Sequence, residues 1–135
     1  MADILHKVVL VGSSGAAENG SPLSGGYADA KRMLWFMAKY ANGVSEQKSL
    51  GIRFQTIVPL QMVGDTGVGD AGANAYARAM GIEREAFLAR FGAPMPAREF
   101  GEKVVSVLDD PKYAEGFAFG LKSDTGVTML EGAAA

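Results

Sequence analysis

Three side chains between positions 14 and 31 have the types and spacing to move a proton on a small molecule. Tyr27 and Lys31 are four residues apart, which on a helix puts them on one face, a turn apart. A free tyrosine has a pKa of about 10, too high to exchange protons readily at neutral pH, and a nearby positive charge favours the phenolate. Tyr27 beside the Lys31 ammonium therefore reads as a general acid or base. Ser14 lies thirteen residues before Tyr27, a separation that a strand end and a returning loop can close. Its hydroxyl could then orient a substrate oxygen while the phenol moves the proton. Singly, each has an ordinary alternative: Ser14 closes a strand-end turn, and Tyr27 and Lys31 are a half-exposed helix pair.

The elements that must hold these groups follow from the flanking sequence. Val8 to Val11 is a short apolar, mostly β-branched run stopped by Gly12 and Ser13, the profile of a strand buried on both faces. A loop rich in Gly, Ser and Pro leads to a helix from about Gly25 to Asn42, with Asn42-Gly43 as its stop. Met33, Phe36 and Tyr40, with Leu34, Met37 and Ala38, recur at helical intervals, so Met33 and Met37 are expected to pack in the core or against another helix. Trp35 is expected at an exposed subunit contact. Asn19 reads as support for the turn at Gly20. Gly51 to Val58 forms a second strand ending at Pro59. A crossover of this length implies parallel pairing with a right-handed connection. Ligands of such sheets bind beyond the carboxyl ends of the strands, where both Ser14 and the Pro59 turn lie.

Composition bounds the alternatives. The chain has 135 residues, 48% hydrophobic and 21% charged, as expected of one soluble globular domain with a single core over 1–135. A net charge of −2 and a pI near 5.4 give no electrostatic reason to expect nucleic acid or an anionic membrane as partner. No apolar run approaches the ~20 residues of a membrane span, and Met1 to Lys7 lacks the apolar core of a secretion signal, so a cytoplasmic location is expected. With no cysteine and one histidine, no metal site is expected.

Residues 60–95 form a long excursion, with helices expected near Ala73 to Met80 and Glu83 to Phe91. An excursion of this length often covers a site. Met62, Met80, Phe87, Phe91 and Met95 would either line such a lid, favouring an apolar substrate, or pack as core. Within it, Gly67-Val68-Gly69-Asp70-Ala71-Gly72 matches the Gly-x-Gly-x-x-Gly dinucleotide pattern. That turn must leave a strand directly and be followed by a strand bearing an acidic residue, and neither condition is met. With 18 glycines in 135 residues chance matches are easy, and a flexible loop is expected. A last helix from Pro96 to Asp109, with Phe100, Val104, Val107 and Leu108 in phase, leads through Asp110-Pro111 to a third strand at Gly116 to Leu121. Tyr113 in that bridge is expected to be structural, and the tail from Glu131 loose.

The Ser14, Tyr27 and Lys31 spacing and the small residues before Tyr27 resemble the short-chain dehydrogenases/reductases, from Val8 to about Leu130 but over only the C-terminal half of a family member. The resemblance implies an α/β fold, the C-terminal part of a doubly wound Rossmann-type sheet, with about three parallel strands and helices on both faces. It implies catalysis by Ser14, Tyr27 and Lys31, with Tyr27 and Lys31 also contacting the cofactor, NAD or NADP, Lys31 at its ribose, and interconversion of an alcohol and a carbonyl. The family's Pro-Gly segment after the second strand is matched here at Pro59 and Met62, which the resemblance makes cofactor contacts; Leu60 and Gly64 depart from it, and phosphate contact at Thr66 is not implied. The first half of the dinucleotide site is expected to be missing, leaving an open edge on the first strand. Two functions follow: an oxidoreductase acting on a small-molecule alcohol or carbonyl, as a homo-oligomer or with the missing N-terminal half, and a noncatalytic interaction module assembling through the open edge or the Tyr27 to Asn42 helix.

Overall fold

A computed structural model describes residues 6–13, 23 and 25–131, with only the backbone of Phe91. Its elements are β1 (His6–Val11), α1 (Gly25–Gln47), β2 (Ile52–Pro59), α2 (Gly67–Met80), α3 (Arg84–Phe91), α4 (Ala97–Asp109), β3 (Ala118–Lys122) and β4 (Gly126–Glu131), with a 3-10 turn at Pro111–Tyr113. The fold is α/β, and the strands form one sheet in the order β1-β2-β3-β4. β1 and β3 both run parallel to β2. The expectation of three strands needs correction: β4 returns antiparallel to β3, with Leu121 opposite Val127. Glu131 therefore closes a strand instead of opening a loose tail.

Alternation along β2 sends successive side chains to opposite faces. Ile57 joins Phe119, Leu121, Met95 and Val107 of α4 in one fully buried cluster, flanked by Val9, Phe100 and Val104. Val58 faces the other way and meets Trp35 of α1, Phe117 and Ala118. Helices thus cover both faces. Tyr113 packs edge-on against Phe119 with ring centroids 5.4 Å apart, a structural role as expected.

Helix α1 corrects two expectations. Trp35 is buried, at 5% exposure, while Met33 at 55% and Phe36 at 69% lie outside with Met37 and Tyr40. The helix carries two apolar stripes, and the sheet takes the one with Ala28, Trp35 and Ala38. The helix also runs through Asn42 and Gly43, because Asn42 is needed where it stands. Its Nδ2 donates to the Phe54 carbonyl (2.9 Å) and its Oδ1 accepts from the Phe54 N–H (2.8 Å). One turn on, Ser45 Oγ donates to the Ile52 carbonyl (2.6 Å) and accepts from the Ile52 N–H (3.2 Å). β3 pairs with β2 only from Thr56 onward, so these two side chains complete the part of that edge which β3 does not reach. α1 ends with Ser49 at φ 52°, where Leu50 N–H reaches the Ser45 carbonyl and Ser49 N–H the Glu46 carbonyl, a left-handed closing motif.

The glycine-rich stretch 67–72 is the start of α2, not a flexible loop. Thr66 caps it by accepting from Gly69 N–H (3.0 Å), and a Cβ on Gly69 would lie 2.2 Å from the Val63 carbonyl oxygen. The preceding strand ends at Pro59, so the dinucleotide-turn geometry is absent there. α2 and α3 pack on each other through Ala73, Ala77 and Phe87, with Met62, Tyr76 and Leu88 beside them. Their base is a parallel bridge between Val63 and Met95. Met95 is fully buried in the main core, so it is an anchor and not lid lining.

Candidate functional site

The carboxyl ends of β1 and β2 are where the sequence-predicted groups gather. Tyr27 and Lys31 lie in the first two turns of α1, which their i, i+4 spacing places on one face. Lys31 Nζ stands 5.8 Å from the Tyr27 ring centroid and donates to the carbonyl of Val11, the last residue of β1, at 3.0 Å. That bond fixes the ammonium between helix and strand end. Tyr27 is 46% exposed, open to a bound molecule. Ser14 lies outside the described residues, just beyond Val11 and Gly12.

On the neighbouring strand, Pro59 closes β2. Leu60 N–H bonds to the Leu121 carbonyl (2.8 Å). The Leu60 side chain lies over Gly120, where a Cβ would meet it at 2.5 Å; it packs toward the Trp35 and Val58 cluster. Met62 is half-buried against α2 and α3, and its carbonyl accepts from Met95 N–H (2.7 Å). Its carbonyl thus already has one partner. Thr66, the helix cap, also donates its hydroxyl to the Val63 carbonyl (2.9 Å), and Gly64 N–H bonds to Met95.

A crevice of about 330 Å³ opens beyond the ends of β2 and β3, between the sheet and α3. Leu60, Met62, Phe87 and Leu88 give it apolar walls, and Gln61 and Lys122 are its polar lining. Gln61 is held at both ends: its Oε1 accepts from Ser123 N–H (2.7 Å) and its Nε2 donates to the Ala93 carbonyl (3.2 Å). Lys122 pairs with Asp124 at 3.4 Å. Desolvation works against the Asp124 carboxylate, but the hydrogen bond and charge of Lys122, together with the backbone N–H groups of Thr125 and Asp124, hold that carboxyl below its usual value. Sequence reasoning placed Met62 and Phe87 here but missed Gln61 and Lys122. The signal for Lys122 was available, since it stands at the carboxyl end of a parallel strand.

The structure therefore brings Tyr27 and Lys31 together at the end of β1, and Pro59 and Met62 at the end of the adjacent strand. No helix among the described residues is long and apolar enough to cross a membrane. No protein-family profile, curated protein or solved structure matches the chain.

Proposed function

We propose that this chain carries the catalytic half of a nicotinamide-dependent oxidoreductase of the short-chain dehydrogenase/reductase type, acting in the cytoplasm on an apolar alcohol or carbonyl. Its sheet is then the C-terminal part of a doubly wound, Rossmann-type fold. The observation that carries this reading is the Lys31 ammonium, held by the Val11 carbonyl at the end of a parallel strand and beside the ring of an exposed Tyr27. In the reducing direction the Tyr27 phenol gives its proton to the carbonyl oxygen of the substrate, and in the oxidising direction the phenolate takes it back. Lys31 sets the charge around the phenol and the Ser14 hydroxyl holds the substrate oxygen. The nicotinamide of NAD or NADP, when bound, supplies or accepts the hydride. Lys31 and Pro59, with the backbone at Met62, would hold its nicotinamide end. The apolar crevice under α3 would receive the substrate body.

The test is titration of the purified chain with NADH and NADPH, followed by cofactor fluorescence. It is run alone and with a separately expressed N-terminal half of a short-chain dehydrogenase. Saturable binding in either setting, lost in Lys31→Ala, is the expected result; no binding in both settings overturns the enzyme reading.

A second reading, a noncatalytic interaction module, is favoured by the outer stripe of α1, where Met33, Phe36, Met37 and Tyr40 are exposed together. If both nucleotides fail to bind while the stripe mediates association, this reading replaces the first.

A further inference from the structure

The crevice under α3 is apolar along its walls and charged at one place. Leu60, Met62, Phe87 and Leu88 form the walls, and Lys122 is the charged residue among the described side chains that line it. Gln61 is neutral and already tied at both ends, to Ser123 and Ala93, so it does not turn to meet a charge. The Lys122 ammonium has three donors. Its partner Asp124 stands in the hairpin turn before β4, at 3.4 Å, and the two side chains are 44% and 65% exposed. A loose, exposed pair of this kind holds little free energy. The ammonium can therefore share or exchange that carboxylate at small cost.

A negative charge arriving from the crevice side meets different conditions. Apolar walls keep water away there, and a charge pair of given length is stronger in less polar surroundings. One ammonium balances one negative charge, which suits a carboxylate. A phosphate carries nearly two charges at neutral pH and would leave one unanswered.

Position sets the length of the molecule. Lys122 ends β3, and Lys31 is anchored on the last residue of β1. The two strands flank β2, so their ends lie two strand spacings apart, roughly 10 Å. An extended chain covers about 1.2 Å per bond, so that span takes roughly eight bonds. The crevice volume of about 330 Å³ is at the lower end for ligand pockets and suits one such chain.

We propose that the crevice binds a medium-length aliphatic carboxylate, its chain along Leu60 and Phe87 and its acid end on the Lys122 ammonium. For the proposed enzyme this names the substrate class, a hydroxy or oxo acid whose reacting carbon is remote from its carboxylate. That step rests on the oxidoreductase reading; occupancy of the crevice does not.

The test is titration of isotope-labelled chain with octanoate and, separately, with octanol, followed by amide chemical shifts with no nucleotide present. The same titrations are run on Lys122→Met, which keeps the aliphatic stem and removes the charge. The expected result is saturable shifts at Gly92, Ala93 and Ser123, with octanoate bound about tenfold more tightly than octanol. In Lys122→Met the two should bind alike. If that variant fails to fold, Lys122→Gln takes its place, and the wild-type preference for octanoate decides should both fail. No binding, equal affinity for the two compounds in the wild type, shifts confined to the exposed stripe of α1, or undiminished octanoate binding in a folded Lys122 variant overturns the proposal. Because nucleotide is absent, this result and the cofactor titration can fail independently.

Discussion

Lys31 Nζ donates to the Val11 carbonyl across 3.0 Å, tying the second turn of α1 to the last residue of β1. The bond is exposed, so its contribution to stability is small, about 1 kcal/mol or less. Lys31→Met should therefore fold with a nearly unchanged urea midpoint. If the oxidoreductase reading holds, the same variant should bind NADH or NADPH at least tenfold more weakly. Fluorescence titration beside urea denaturation separates the two effects.

Asn42→Ala should be among the more damaging polar substitutions. It leaves both the N–H and the carbonyl of Phe54 without their partner in a largely buried seam. Two such groups together cost roughly 2–4 kcal/mol. Urea unfolding measures it, and a loss below about 1 kcal/mol would show that water replaces the amide.

The two stripes of α1 and the sheet core predict opposite responses to truncation. Phe119→Ala removes a fully buried ring and should cost about 3–5 kcal/mol. Met37→Ala on the exposed stripe should stay within about 0.5 kcal/mol. Equal losses measured at a concentration where the chain is monomeric would contradict the burial described.

Gly69→Ala should loosen the start of α2, because the added methyl meets the Val63 carbonyl oxygen, a backbone atom that cannot swing aside. Thr66→Ala removes the cap at the same point and should cost about 1 kcal/mol. Amide exchange in the first turn of α2 should rise in both variants while β2 and β3 remain protected.

Helices α2 and α3 form a small cluster of their own, apart from the two clusters on the sheet. They should open together, with exchange faster than in β2 and β3, since units with few contacts to the main core open at lower free energy. A single uniform protection level across all elements would contradict this.

Most of this arrangement could be read from residue order, and its failures have identifiable physical causes. The runs at Val8 to Val11 and Gly51 to Val58, with a helix between, were enough to anticipate parallel pairing, and the phase of Phe100, Val104 and Val107 gave the buried side of α4. Asn42-Gly43 looked like a helix stop because local chemistry favours one there; Asn42 instead serves Phe54, a tertiary bond with no local signature. The two apolar stripes of α1 were indistinguishable by period, so Trp35 and Met33 were assigned to the wrong sides. β4, at six residues no shorter than β1, was hidden because it is an edge strand that fully buries none of its side chains, although Ser123-Asp124-Thr125 marks the hairpin turn before it and Gly126, its first residue, has φ 73°. At the site, the i, i+4 pair was legible because helical spacing alone sets it. The anchoring of Lys31 by Val11 was not, since it depends on how closely α1 approaches the end of β1.

The chain leaves the body of the protein at Val63 and re-enters at Met95, and those two residues are bridged side by side. Whatever lies between them does not set the spacing of β2 and α4. A shorter or longer insert at that gate would cost mainly loop-closure entropy, about 0.6 kcal/mol for each doubling of length. The helices that cover the crevice can therefore be exchanged as a cassette while the sheet that ends at Pro59, and helix α1 with Tyr27 and Lys31, stay as they are.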